Sequence, residues 1–468
     1  MSKSKQNSIT ISVITLLMLS FTIIITSCFL HSITTNTNTS SNDTIVSKKQ
    51  KNDSIKKLKI KEKTPIEIKN IYYNYTATDN IKTILLYKQG FELSLPLIEL
   101  NSSEKLVLSF DDLANNNTTY KYTFIHCDAD WSASDMQAYE YIKGFTEDII
   151  EDYQYSFNTV QKYTHYNLLF PNENMILTKS GNYILKVYQD GFPDNPVFTK
   201  RFMIVEPHVT ITATAKRATL IEDMDYKQEV DFTINYANYP IANPYQDVKV
   251  VLTQNNRTDN AITNLKPKYI NNNQLVYDYE QGNTFEGGNE FRILDIKSLN
   301  YRTINLAQIG YDSLGYYAYL LPDDKKAFKN YYYYQDINGR KLIKTEDLRD
   351  SDTQADYVHV HFTLPYNNDV IGGNIYVYGA LTDWNFTKEG MLKYNYQTHN
   401  YETSIYLKQG YYNYIYVFLE NGKTIGDETL IEGTRYETEN EYAIYVYCKE
   451  NGTTYDKLIG VKIINSQK

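Results

Sequence analysis

Alternating and β-branched runs dominate this chain, and no helical period is sustained anywhere in it. Val358, Val360, Phe362 and Leu364 form one apolar face, while Tyr357, His359, His361 and Thr363 form the other. That two-residue period is the mark of a half-buried strand. Val230, Phe232, Ile234 and Tyr236 repeat it. Short β-branched or aromatic runs at 83–87, 105–110, 120–127, 182–188 and 198–205 are bounded by Asn, Asp, Gly and Pro clusters such as 115–117 and 190–193. Further runs lie at 209–213, 248–252, 275–279 and 291–296, and the tyrosines 331–334 close that series. The last group comprises 375–378, 401–407, 412–418, 442–448 and 458–464. Many short strands separated by turn signals predict an all-β chain of tandem β-sandwiches, immunoglobulin-like or early-set-like. Residues 136–142 make the best helical turn, with Ser134 or Asp135 as its N-cap.

Residues 9–25 are almost wholly apolar or small and follow Lys3 and Lys5, the layout of a secretory leader. The ending Ile25-Thr26-Ser27-Cys28 resembles the bacterial lipobox, in which the cysteine thiol takes a diacylglycerol. The expectation is a lipoprotein signal peptide over 1–27 with Cys28 as the lipidation site. An uncleaved membrane anchor is the alternative, since the run approaches spanning length. In both cases the rest of the chain lies outside the cytoplasm. Residues 28–65, rich in Ser, Thr, Asn and Lys, read as a flexible tether. Three β units are expected beyond it: 66–207, a middle domain 208–352 and a C-terminal early-set-like sandwich 353–468.

A formal net charge of −9 argues against nucleic acid as a partner, because phosphate binding needs clustered Lys and Arg. Tyrosine reaches 47 residues against 18 Phe and 2 Trp, and Asn, Ile and Lys are abundant too. An AT-rich genome accounts for this bias without invoking binding. Cys127 and Cys448 both sit in strand-like runs, which leaves one disulfide or two buried thiols open.

Chemistry has few places to reside. His126-Cys127-Asp128-Ala129-Asp130-Trp131 concentrates metal-ligating side chains, but His126 and Cys127 are neighbours on a strand and point to opposite faces. A structural role is expected, with the strand end turning through Asp128 and Asp130 and Trp131 packed beneath. His359 and His361 share a face and are the better metal pair, although no third ligand is evident. Asp111-Asp112, Glu147-Asp148 and Glu151-Asp152 are carboxylate neighbours, yet glycoside chemistry depends on a spatial separation that sequence adjacency does not report. Phosphate-binding glycine loops, GxSxG and HExxH are absent. No cofactor and no metal are expected, and the reading is of a protein that is not an enzyme.

Gly379-Ala380-Leu381-Thr382-Asp383-Trp384-Asn385, followed by Leu407-Lys408-Gln409-Gly410-Tyr411-Tyr412, is similar to the early-set modules that bind glycogen and starch. That resemblance makes Trp384 and Tyr412 candidate sugar-stacking residues, with burial in a core as the other reading, and a glycan an alternative partner. The chain as a whole resembles the type IX secretion system plug protein family. The resemblance rests on Leu106 to Leu113, Tyr120 to Trp131, Ser156-Phe157-Asn158-Thr159, Tyr163 to Tyr166, Phe170-Pro171-Asn172 and Ser180 to Tyr183, in that order. Downstream, Tyr357 to Phe362 and Tyr378 to Trp384 continue it, so that it spans about Ile66 to Tyr447. The resemblance implies a non-enzymatic envelope protein that occludes the periplasmic opening of the outer-membrane β-barrel translocon of type IX secretion. Lipid on Cys28 would then moor it in the outer membrane, on the periplasmic face.

Overall fold

The computed structural model describes residues 73–466; the expected signal peptide, Cys28 and the tether lie outside them. The described chain forms three β-sandwiches, each closed around its own apolar cluster. In the first, one sheet runs Ile81–Lys88, Leu106–Asp112, Thr164–Phe170, Asp152–Tyr155. The facing sheet runs Tyr75–Thr76, Pro196–Val205, Gly181–Gln189, Tyr120–Cys127, Asp148–Ile149, and Leu97–Glu99 joins Pro196–Val205 in parallel. Leu106, Leu108 and Phe110 alternate into the core against Tyr122, Phe124 and Phe202, as the two-residue period requires.

The second sandwich pairs Thr210–Arg217, Lys227–Asn235, Gln274–Tyr277 and Tyr269–Asn271 in one sheet. Opposite it lie Val248–Gln254, Glu441–Cys448 and Lys457–Asn465. Val230, Phe232 and Ile234 meet Val250, Leu252, Ile444 and Val446 in the core. The third sandwich places Leu306–Asp312, Gly315–Leu320, Tyr357–Pro365, Asn400–Lys408 and Lys393–Asn395 in one sheet. Arg292–Asp295, Lys341–Ile343 and Gly373–Tyr378 all pair with the long strand Gly410–Glu420 on the other side.

Strand pairing therefore corrects the division expected at 352. The last two strands return to the middle sandwich, and strands from 292 onward belong to the third. The third sandwich is an insertion, lying in the chain between Thr284–Glu286 and Glu441–Cys448. The cause of the mismatch is physical: an alternating strand reports which face is buried but not which strand it pairs with.

Three local expectations are also corrected. The helical turn is Ala138–Tyr141 with Gln137 as N-cap, and the Glu140 carboxylate accepts from the Gln137 backbone N–H at 2.6 Å. Residues 331–334 form no strand. The Tyr331 hydroxyl instead donates to Glu290 and Tyr334 packs with Lys326, so polar anchors rather than a ladder hold that run. Thr164–Phe170 and the hairpin Leu306–Asp312/Gly315–Leu320 are strands that the apolar pattern did not single out.

Because Ile444 is fully buried among residues of the second sandwich, Ile444→Ala should destabilise that sandwich by ~2–5 kcal/mol. Hydrogen exchange should accelerate in Lys227–Asn235 and leave Tyr357–Pro365 protected; the reverse pattern would contradict the insertion topology.

Candidate functional site

The sequence motif ending in Trp131 lies where the first sandwich meets the second. His126 is 1% exposed. Its Nδ1 lies 2.9 Å from Ser134 Oγ and its Nε2 3.1 Å from the Ser180 carbonyl. Its ring packs against Tyr141, Tyr183 and, from the second sandwich, Tyr455. Burial lowers the imidazole pKa to about 4, so His126 is neutral at physiological pH with both nitrogens occupied. Asp128 Oδ1 accepts from the Asp456 N–H at 2.9 Å, and the Ala129 N–H donates to Asp456 Oδ2 at 3.1 Å. This reciprocal pair stitches the two sandwiches together. Asp130 accepts from the Ser132 N–H at 2.9 Å and so shapes the turn itself. Trp131, at φ +66°, lays its ring 4.3 Å beneath the Arg201 guanidinium, a cation–π arrangement.

Cys127 points away from His126, and Cys448 lies in the second core. Both are buried and unbridged. Burial pushes the thiols up, to about 12 for Cys127 and about 11 for Cys448.

A second seam joins the first and third sandwiches. Asp111 is wholly buried. Its Oδ1 accepts from His165 Nδ1 at 2.6 Å, and its Oδ2 accepts from Tyr357 Oη at 2.6 Å and Lys408 Nζ at 2.7 Å. The Lys408 ammonium also lies 4.2 Å over the Tyr163 ring and donates to the Asp352 carbonyl at 2.7 Å. Burial alone would raise the Asp111 carboxyl. Lys408 and His165 overcome this and hold it below the ordinary carboxylate range. Its sequence neighbour Asp112 faces the other way and accepts from Tyr120 Oη at 2.9 Å, so the two do not form a catalytic pair. Glu147 accepts from Lys121 and Tyr188 at the surface, and Glu151 and Asp152 are exposed.

His359 and His361 share the outward face of their strand, as expected, but each ring stacks on a tyrosine, Tyr406 at 4.4 Å and Tyr319 at 4.2 Å. Burial lowers both imidazole pKa values. Among the described residues the carboxylate group able to converge on an ion is Glu229, Asp231 and Asp278, and Lys216 already bridges the first two at 3.3 and 2.6 Å.

Of the two readings of Trp384 and Tyr412, burial in a core is the one the structure shows. Tyr412 is 2% exposed in the third core and its hydroxyl donates to the Lys408 carbonyl. Trp384 is 8% exposed, edge-on to Tyr378 at 5.4 Å and Phe291 at 6.1 Å. Gly339 makes that packing possible: its φ is +74°, and a Cβ there would sit 2.4 Å from the indole. The two rings therefore build no exposed platform. What the sequence did not reveal is that Trp384 and Trp131, far apart in the chain, line one cavity of about 110 Å³ where all three sandwiches meet.

The geometry defines a multidomain all-β scaffold, its sandwiches joined by buried polar seams. Residues 81–206 match the type 9 secretion system plug protein first domain. The structure is similar to the crystal structure of a hypothetical protein from Parabacteroides merdae ATCC 43184, at 38% identity and a TM-score of 0.82, covering 84% of this chain and 99% of that one. No curated protein matches. The chain belongs to the type IX secretion system plug protein family, and its first sandwich carries the family's first domain.

Lys408→Met removes the ammonium from the buried Asp111 and leaves it only His165 and Tyr357, which should destabilise the fold by ~3–5 kcal/mol in chemical denaturation. The Asp111 pKa is lower folded than unfolded, so its contribution is complete above the unfolded value of about 3.9 and is lost as pH falls through the depressed one. Asp111→Asn should therefore flatten the acid limb of the stability profile. A disulfide reagent should find Cys127 and Cys448 unreactive in the folded chain and both reactive in denaturant; rapid labelling of either before unfolding would contradict their burial.

Proposed function

We propose that this protein binds the periplasmic opening of the outer-membrane β-barrel translocon of type IX secretion and occludes it when no substrate fills the pore. The observation that carries the reading is the match of residues 81–206 to the plug family's first domain. A stopper must resist deformation and entry into the pore, and close-packed cores supply that resistance. The seams at Asp111–Lys408 and Asp128–Asp456 couple the matched domain to the other two sandwiches, so it acts with the bulk of the chain behind it. Blocking needs no chemistry, and the buried Asp111 serves the seam through Lys408, His165 and Tyr357.

No helix among the described residues is long and apolar enough to cross a membrane. In this reading lipid on Cys28 holds the protein at the envelope, which confines it to two dimensions and raises its effective concentration at the barrel. Affinity capture of the full chain from solubilised outer membranes should recover a very large β-barrel protein in stoichiometric amount. Capture of the chain without such a barrel, repeated across detergents, would defeat the proposal. Cys28→Ser should move the protein from the membrane to the soluble envelope fraction, and an unchanged distribution would remove the lipid anchor from the scheme.

A further inference from the structure

The strand Asp152–Tyr155 closes one side of the first sandwich and has a neighbouring strand on one flank only. Its register pairs Asp152 with Asn167, Tyr153 with Tyr166, Gln154 with His165 and Tyr155 with Thr164. In an antiparallel ladder alternate residues exchange both main-chain bonds with the partner strand. The Ser156 N–H donates to the Tyr163 carbonyl at 2.8 Å, which fixes the phase: Gln154 and Asp152 bond inward. The N–H and C=O groups of Tyr153 and Tyr155 therefore point away from the sheet, and nothing among the described residues bonds them.

All four residues of this strand are exposed. The adjoining edge of the facing sheet is closed differently, since the Ile149 N–H donates to the Asp148 carboxylate at 2.9 Å. Asp152–Tyr155 has no such cap, no proline and no bulge, devices that commonly blunt an edge.

Charge is the one guard present. Five carboxylates and one lysine lie between 140 and 152. Glu140 accepts from the Gln137 N–H, Glu147 from Lys121 and Tyr188, and Asp148 from Asn174. Glu151 and Asp152 have no side-chain partner among the described residues. Such an edge repels an acidic strand and attracts a basic one. The acid pair by itself would be a solvated surface; the unpaired main chain beside it makes it a site. Next to the carboxylates the edge is aromatic. The Tyr153 ring lies 5.7 Å from Tyr166 of the core and 6.0 Å from Tyr155, which is 52% exposed.

We infer that the edge at Asp152–Tyr155 docks an extended basic polypeptide segment, which adds to the sheet as a further strand. Its main chain bonds Tyr153 and Tyr155. Its lysine or arginine side chains meet Asp152 and, at the start of the strand, Glu151, while the intervening side chains cover the two tyrosine rings. Strand addition draws affinity from main-chain hydrogen bonds and selectivity from alternate side chains. A polyamine would satisfy the carboxylates but has no main chain to pair with the edge, which is why a polypeptide is the assigned partner. The site lies wholly in the first sandwich and stands independently of any occlusion of a translocon.

The full chain in detergent is titrated, with fluorescence anisotropy as the readout, against a labelled acetylated peptide of alternating lysine and valine. The controls are the glutamate–valine peptide, the lysine–valine peptide N-methylated at its valines, and spermine as a competitor. Saturable binding of the lysine–valine peptide, weakening as salt is added, is the expected result. The glutamate and N-methylated peptides should bind roughly tenfold more weakly or not at all, and spermine should not displace the peptide at matched charge concentration. Glu151→Gln combined with Asp152→Asn should weaken binding about fivefold, the worth of two exposed ion pairs. Tyr155→Pro removes one outward N–H while sparing the inward ladder and should weaken binding roughly tenfold; its denaturation midpoint reports whether the fold survives. No saturable binding, equal binding by the glutamate or N-methylated peptide, displacement by spermine, or unchanged affinity in the acid double variant would each overturn the assignment. Self-association of the chain that Tyr155→Pro abolishes would give the edge to a second copy and overturn it as well.

Discussion

The ion pair between Asp111 and Lys408 is the constraint on which this architecture turns. Moving two such charges out of water costs several kcal/mol per ion even after relaxation, and neither sandwich alone supplies the compensation. Asp111 and His165 come from the first sandwich, and Tyr357 and Lys408 from the third. Only when the two are docked does the carboxylate gain all three partners and the ammonium gain Asp111 and the Tyr163 ring. A buried pair of this kind is weak evidence for raw stability. Its effect is geometric: any relative sliding of the sandwiches exposes an uncompensated charge, so the docked arrangement is strongly preferred over its neighbours.

Chain topology reinforces the same point. The third sandwich is spliced into the second between Thr284–Glu286 and Glu441–Cys448, so both of its chain connections lead into one domain while its surface is bonded to another. The second sandwich is in turn tied to the first through Asp128 and Asp456 and through Tyr447, whose hydroxyl donates to Asn182 Oδ1 at 2.8 Å. Each sandwich is thus held to both of the others. Bonds of this kind oppose relative movement of the three sandwiches.

Tyrosine abundance acquires a structural meaning here whatever its origin in base composition. A buried tyrosine brings a large apolar ring and one hydroxyl that must find a partner. Tyr357 meets Asp111, Tyr447 meets Asn182, and Tyr414 and Tyr416 share Asp323 at 2.7 and 2.8 Å. Phenylalanine at these positions would pack comparably but would remove a hydrogen bond from each of these buried carboxylates and amides.

What the sequence determined alone was local. Alternation at Val358 to Leu364 and at Val230 to Ile234 named the buried faces, because a strand's period of two is a property of its own backbone, and all of these side chains are buried. The ordered motifs from Leu106 to Trp131 were enough to indicate the family. Which strands pair was not legible, since 442–448 and 412–418 carry nearly the same tyrosine-rich pattern yet belong to different sandwiches. Nor did the sequence show that Asp111 and Asp112 face apart with only one at a domain seam, or that the two tryptophans share a cavity. The seam at Asp111 and the shared cavity rest on partners hundreds of residues away, and only the closing of three cores against one another decides which side of a given residue meets protein and which meets water.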